Sequence, residues 1–115
     1  MSTSGSTASP AFEAYGQDGV VYLRGDLDMS TEREARSIVL AEADRRVSLT
    51  LDVSRLTFCD STGLKLLIDA VQTLRLGGRL LVVGANRNIR KLLEVSGLSR
   101  HPAVLVAGPS ALSPD

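Results

Sequence analysis

The sequence predicts a single α/β domain, built on a mostly parallel mixed sheet of about five strands with about three main helices. Three observations carry this reading. Short apolar runs alternate with longer stretches in which apolar residues recur three and four apart. Two strand-like runs, Phe12–Tyr15 and Val20–Leu23, flank Gly16-Gln17-Asp18-Gly19, a composition suited to a hairpin. After that hairpin, helices and strands take turns, the order expected of parallel strands joined by right-handed crossovers.

Length and composition narrow the possibilities. A chain of 115 residues forms one domain with a small but real core. Its hydrophobic fraction is 43% and its aromatic fraction 3%, so that core is aliphatic. Thirteen basic residues balance 13 acidic ones, which leaves no global field to attract nucleic acid. The base-stacking aromatics of a nucleic-acid binder are nearly absent as well. Cys59 is the sole cysteine, so no internal disulfide forms and a reducing compartment is the simplest setting. The N-terminus lacks a basic start and an apolar run, and no segment approaches the roughly 20 apolar residues of a membrane span. The expectation is a cytoplasmic protein that binds neither membrane nor nucleic acid directly. Residues 1–11, rich in Ser, Thr and Ala, read as a disordered tail; 12–107 form the domain; 108–115 form a second tail.

The elements follow in order. The second strand runs into Arg24-Gly25-Asp26-Leu27-Asp28, where Gly25 permits a bend. Thr31 and Glu34 fit a capping box, and Ala35, Ile38, Val39 and Ala43 mark the buried side of a first helix. Leu49, Leu51 and Val53 alternate with Thr50, Asp52 and Ser54 in a strand with one face to the core. A short loop from Phe58 leads to the second helix. There Leu64, Leu67, Ile68, Val71 and Leu74 point inward, while Lys65, Asp69, Gln72 and Thr73 occupy the other side. Asp60 or Ser61 caps this helix; Asp60 is the better acceptor, which leaves the Ser61 hydroxyl facing solvent. Gly77-Gly78 ends the helix, and Leu80–Val83 is a strand buried on both faces. Asn86 or Asn88 caps a third helix with Ile89, Leu92 and Leu93 inside. Gly97 follows its C-cap, Leu98 packs back on Leu93, and Ala103–Ala107 forms the last strand.

Little here resembles catalytic machinery. Cys59 and His101 are each the only residue of their type, too few for a zinc site, and Cys59 reads as a small buried hydrophobe. Asp26, Asp28 and Asp60 fall at element ends that share a rim. Paired carboxylates there would serve acid–base work or a divalent cation; alternatively Asp28 belongs to a turn and Asp60 to a cap. Gly63 is isolated and no nucleotide fingerprint is present. Arg87, Arg90 and Lys91 form a small basic face. Ser61 stands at an exposed helix start, within reach of another protein's active site; read alone, it merely opens a helix.

Asp52-Val-Ser-Arg-Leu-Thr-Phe-Cys-Asp60-Ser61-Thr62-Gly63-Leu64 resembles the signature of the STAS domain family, in its bacterial anti-sigma factor antagonist branch. Gly25-Asp26-Leu27-Asp28 is similar to that family's Gly-x-(Leu/Ile)-Asp motif. Leu92-Leu93-Glu94-Val95-Ser96-Gly97-Leu98 is similar to its late Leu-x-x-Ser-Gly-Leu segment. Together the similarity covers about residues 12–107, with three separated motifs in the family's order. Lys65 departs from the small residue common after Gly-Leu, and the C-terminal segment is short for the final helix many relatives carry.

The resemblance implies a regulator and not an enzyme, with no cofactor. Its partners would be an anti-sigma factor with serine kinase activity, which phosphorylates Ser61, and a PP2C-type phosphatase that resets the cycle. Asp28, Asp60, Thr62, Gly63 and Lys65 would contribute to partner or kinase recognition. The rival readings are a STAS scaffold subunit of a larger signalling assembly, or a nucleotide- or lipid-sensing module. The free-standing length favours the antagonist.

Overall fold

The computed structural model describes residues 12–107, so the two predicted tails lie outside the described residues. Strand β1 (Glu13–Gln17) and strand β2 (Val20–Leu27) form the expected hairpin, turning through Asp18 and Gly19, both at positive φ. Helix α1 (Glu32–Ala43), strand β3 (Ser48–Cys59), helix α2 (Ser61–Thr73), strand β4 (Arg79–Val83), helix α3 (Arg87–Val95) and strand β5 (Val104–Val106) follow. A single 3-10 turn, Leu98–Arg100, separates the last two.

The sheet order is β1-β2-β3-β4-β5, antiparallel in the hairpin and parallel thereafter. Strand order thus equals chain order. Because right-handed crossovers then all step the same way, every helix falls on one face of the sheet. The burial pattern agrees: Val21, Leu23, Leu49, Leu51, Val53, Leu80 and Val82 are buried beneath the helices. On the opposite face Tyr22, Thr50, Asp52, Leu81 and Val83 are only partly covered, and Leu105 is 63% exposed. Leu80–Val83 is therefore not buried on both faces as its apolar run suggested, because among the described residues only one layer of helices covers the sheet.

Strand β3 is longer than its alternating segment, running through Phe58 to Cys59 where a loop was expected. The register explains the extension. Tyr22 pairs with Asp52, Arg24 with Arg55, and Asp26 with Phe58, so β3 carries two extra residues across two irregularities. Such bulges keep the ladder going while breaking the period-two signal.

Helix α2 is rotated from its sequence reading. Gly63, Leu66, Leu67 and Ala70 are buried, whereas Ile68, assigned inward, is 42% exposed. Asp69, assigned to solvent, receives an ion pair of 2.8 Å from Arg36 of α1. Arg36 also pairs with Glu32, so the partly exposed Asp69 is turned toward α1. Both acids on Arg36, hydrogen-bonding it, raise its proton affinity, and Arg36 in turn holds the Asp69 carboxyl below its ordinary value. The helix also stops at Thr73, earlier than Gly77-Gly78. Leu74 turns the chain into extended backbone, and Gly77 supplies a left-handed turn within the loop that follows.

Candidate functional site

Parallel strands place the starts of α1, α2 and α3 at one end of the sheet, beyond the C-terminal ends of β2, β3 and β4. Leu27 pairs with Cys59, and the Asp60 N–H donates to the Leu27 carbonyl at 3.3 Å. The loop holding Asp28 and the start of α2 are therefore neighbours, as expected of loops at the C-terminal ends of adjacent parallel strands.

Asp60 caps α2. It has extended backbone and its Oδ1 accepts from the Thr62 N–H at 2.9 Å, as expected of the better acceptor. Ser61 occupies the first helical position, is exposed, and its hydroxyl makes no hydrogen bond among the described residues. Thr62 is partly buried beside it. Gly63 is buried, and a Cβ there would lie 2.4 Å from Cys59 Sγ and 3.0 Å from Leu27 Cδ2. Only glycine lets the helix start sit this close to the ends of β2 and β3. Gly63 thus sets the depth at which Ser61 is presented, and does not itself reach the surface.

Asp28 is a turn residue. Its Oδ1 accepts from the Ser30 hydroxyl at 2.7 Å and the Ser30 N–H at 2.9 Å, and these bonds, the hydroxyl's foremost, hold its carboxyl below the ordinary value. Thr31 does not form the predicted capping box. Its hydroxyl donates to the Asp26 carbonyl at 2.7 Å and accepts from the Asp28 N–H at 3.0 Å, so it closes the loop and makes no cap bond. Asp26 accepts from the Thr57 hydroxyl at 2.6 Å. The three rim aspartates are thus committed to separate local partners. No group of three or more His, Cys, Asp or Glu is placed to hold a metal among the described residues.

Cys59 is half-buried under α2, and burial, helped by the adjacent Asp60 charge, pushes its thiol up to about 11. A thiol held protonated is a poor nucleophile, which fits the packing role read from its surroundings. His101 accepts from the Ala103 N–H through Nδ1 at 3.0 Å and lies exposed beyond the 3-10 turn.

The exposed face of α2 carries Ser61, Lys65, Ile68 and Gln72, spaced as one stripe along a helix. Lys65 reaches back to Asp69 at 3.6 Å but stays largely exposed. Ile68 was missed by sequence reasoning; its offset of seven from Ser61 was the available signal. Met29, 82% exposed, and Phe58, 50% exposed, add apolar surface at the same end of the sheet. The arrangement offers a neutral hydroxyl at the head of a partly apolar exposed face.

A family model described as "Mlab, STAS domain" matches residues 11–107. The chain belongs to the STAS domain family. Solved structures with this fold include an anti-sigma factor antagonist from Mycobacterium paratuberculosis, 25% identical, covering 91% of this chain and 95% of that one, with a TM-score of 0.73. The anti-sigma factor antagonist SpoIIAA in its unphosphorylated form is 23% identical over 89% of this chain and 92% of its own, with a TM-score of 0.68. The phosphorylated form of the Bacillus cell fate determinant SpoIIAA is 24% identical over 89% and 96%, with a TM-score of 0.60. No curated protein sequence matches the chain. Among the described residues no helix of this STAS domain is long and apolar enough to cross a membrane.

Proposed function

We propose that this STAS domain is an anti-sigma factor antagonist, binding an anti-sigma factor that is itself a serine kinase and released when that kinase phosphorylates Ser61. A PP2C-type phosphatase resets the cycle. The observation that carries the reading is the Ser61 hydroxyl, exposed at the head of α2 and engaged by none of the fold's own groups among the described residues. That a similar fold is known as an antagonist in both phosphorylated and unphosphorylated forms supports it.

The physics of the switch is local. Phosphorylation adds about −1.5 to −2 charges beside Asp60. The positive end of α2 offsets part of this, worth roughly 0.3–1 kcal/mol at an exposed site. Since Asp60 and not Ser61 makes the cap bond, the helix start persists while the docking face acquires a bulky dianion. A partner surface matched to a neutral hydroxyl and to Met29, Phe58 and Ile68 then loses its fit. Asp28 contributes by holding the neighbouring loop, Thr62 and Lys65 by flanking the hydroxyl, and Gly63 by setting its depth. The protein acts as a substrate and ligand, not as a catalyst.

The test uses the purified chain with its cognate anti-sigma kinase and ATP. One phosphate on Ser61, located by mass spectrometry, and weaker binding of the modified form by calorimetry are the expected results. Equal affinity of both forms would remove the switch. Recovery of a multi-subunit assembly without a kinase, in pull-downs from the native cell, would favour the scaffold reading instead.

A further inference from the structure

The basic face of α3 has a use that the Ser61 site does not absorb. Arg87, Arg90 and Lys91 line an open groove of about 400 Å³ together with Glu94, Ser99 and Val106. Three cations therefore face one carboxylate. None of the three takes part in an ion pair among the described residues, in a chain whose overall charge is zero. The Nε of Arg90 is buried and finds no acceptor there. A buried guanidinium nitrogen without a partner is costly, and a carboxylate meeting the outer part of the same guanidinium would offset part of that cost.

The other wall of the groove is the outer edge of the sheet. Among the described residues strand β5 pairs only with β4. The Leu80 N–H donates to the Ala103 carbonyl and the Ala107 N–H donates to the Val82 carbonyl, so Ala103 and Ala107 face β4. Alternation then turns the backbone of Val104 and Val106 outward. The Val104 N–H is taken by the His101 carbonyl at 3.0 Å, which among the described residues leaves Val106 presenting its N–H and C=O along the groove. Beside it Leu105 is 63% exposed. An edge strand with outward backbone groups is a template for an added strand.

We propose that this groove docks an acidic, extended segment of a partner protein, its backbone pairing at Val106 and its carboxylates meeting Arg87, Arg90 and Lys91. The surplus of cations selects an acidic segment by charge complementarity. A free phosphate would leave the edge backbone and Leu105 unused. A flat bilayer would not pair with the edge backbone at Val106. The surface lies across α3 from the Ser61 face, and its occupation does not depend on phosphorylation there.

The probe is a hexapeptide of alternating valine and glutamate, added to the full chain and followed by amide shifts and calorimetry. Binding should weaken as salt rises, with shifts confined to α3 and β5. Arg87→Gln with Lys91→Gln, both at exposed positions that cost no folding, should weaken it about fivefold, as loss of two rim charges does. Arg90→Gln, checked for folding by circular dichroism, should weaken it further, and Ser61→Ala should leave it unchanged. No binding by the wild-type chain would overturn the proposal, as would equal binding of a valine–lysine peptide or an unchanged affinity in the double variant. Inorganic phosphate or phosphatidylglycerol vesicles binding as well as the peptide, by the same residues, would overturn it too.

Discussion

The starts of α1 and α2 follow adjacent parallel strands, yet their hydroxyls are spent in opposite ways. At α1 both are consumed: Ser30 donates to Asp28, and Thr31 donates to the Asp26 carbonyl while accepting from the Asp28 N–H. At α2 the aspartate does the capping and the serine beside it is left to solvent. The same residue types thus build a locked loop in one place and a presented side chain in the other. What distinguishes them is which group satisfies the helix's first N–H groups, and only the second arrangement leaves a hydroxyl whose modification does not dismantle its own support.

Variants at the two helix starts test that contrast. The largest effect is all-or-none: Ser61→Ala should abolish kinase labelling, whereas Ser30→Ala should retain it, as read by intact mass. Labelling that survives Ser61→Ala and moves to Thr62 would shift the site by one residue. Next comes Gly63→Ala, whose methyl would meet Cys59 Sγ at 2.4 Å. It should cost about 1–3 kcal/mol in urea denaturation, as overpacking generally does. Asp60→Ala should cost roughly 0.5–2 kcal/mol through the lost cap, while Ser61→Ala should stay within about 0.5 kcal/mol. If Ser61→Ala proved the more damaging of the two, the division of labour at α2 would be reversed.

The smallest effect is a pH dependence. The fold raises the Cys59 thiol to about 11, so it favours the protonated form. The stability this contributes is intact below the ordinary thiol value of 9.0 and is lost as pH climbs toward about 11. Cys59→Ala should flatten that part of the stability profile, measured as the difference between variant and wild type. Identical slopes would show that the thiol is better solvated than its position under Gly63 implies.

How legible this was depended on how local each cause is. Asp60 and Asn86 were readable as caps because a cap needs only its own side chain and the N–H two or three residues on. Gly97 was readable for the same reason, and it takes the left-handed conformation after α3. The Thr31–Glu34 box failed because a strand carbonyl five residues earlier competes for the same hydroxyl. The phase of α2 was misjudged where Arg36, on another helix, recruits Asp69 and leaves Ile68 outside. The end of β3 was missed because its bulges are set by pairing with β2. At the site, Asp60 and Ser61 were legible, but the burial of Gly63 depends on Leu27, far away in sequence.

The identity of strand order and chain order carries one more consequence, for the ribosome. Each strand after the first pairs with the strand made just before it, across a hairpin or a single helix. No segment must wait for a distant partner, so loop-closure entropy stays low and folding should be fast for a parallel sheet. During synthesis the sheet can extend one strand at a time, and the helix that presents Ser61 has both of its supporting strand ends before β4 emerges. The Ser61 face is assembled early, and the edge strand β5 is added last.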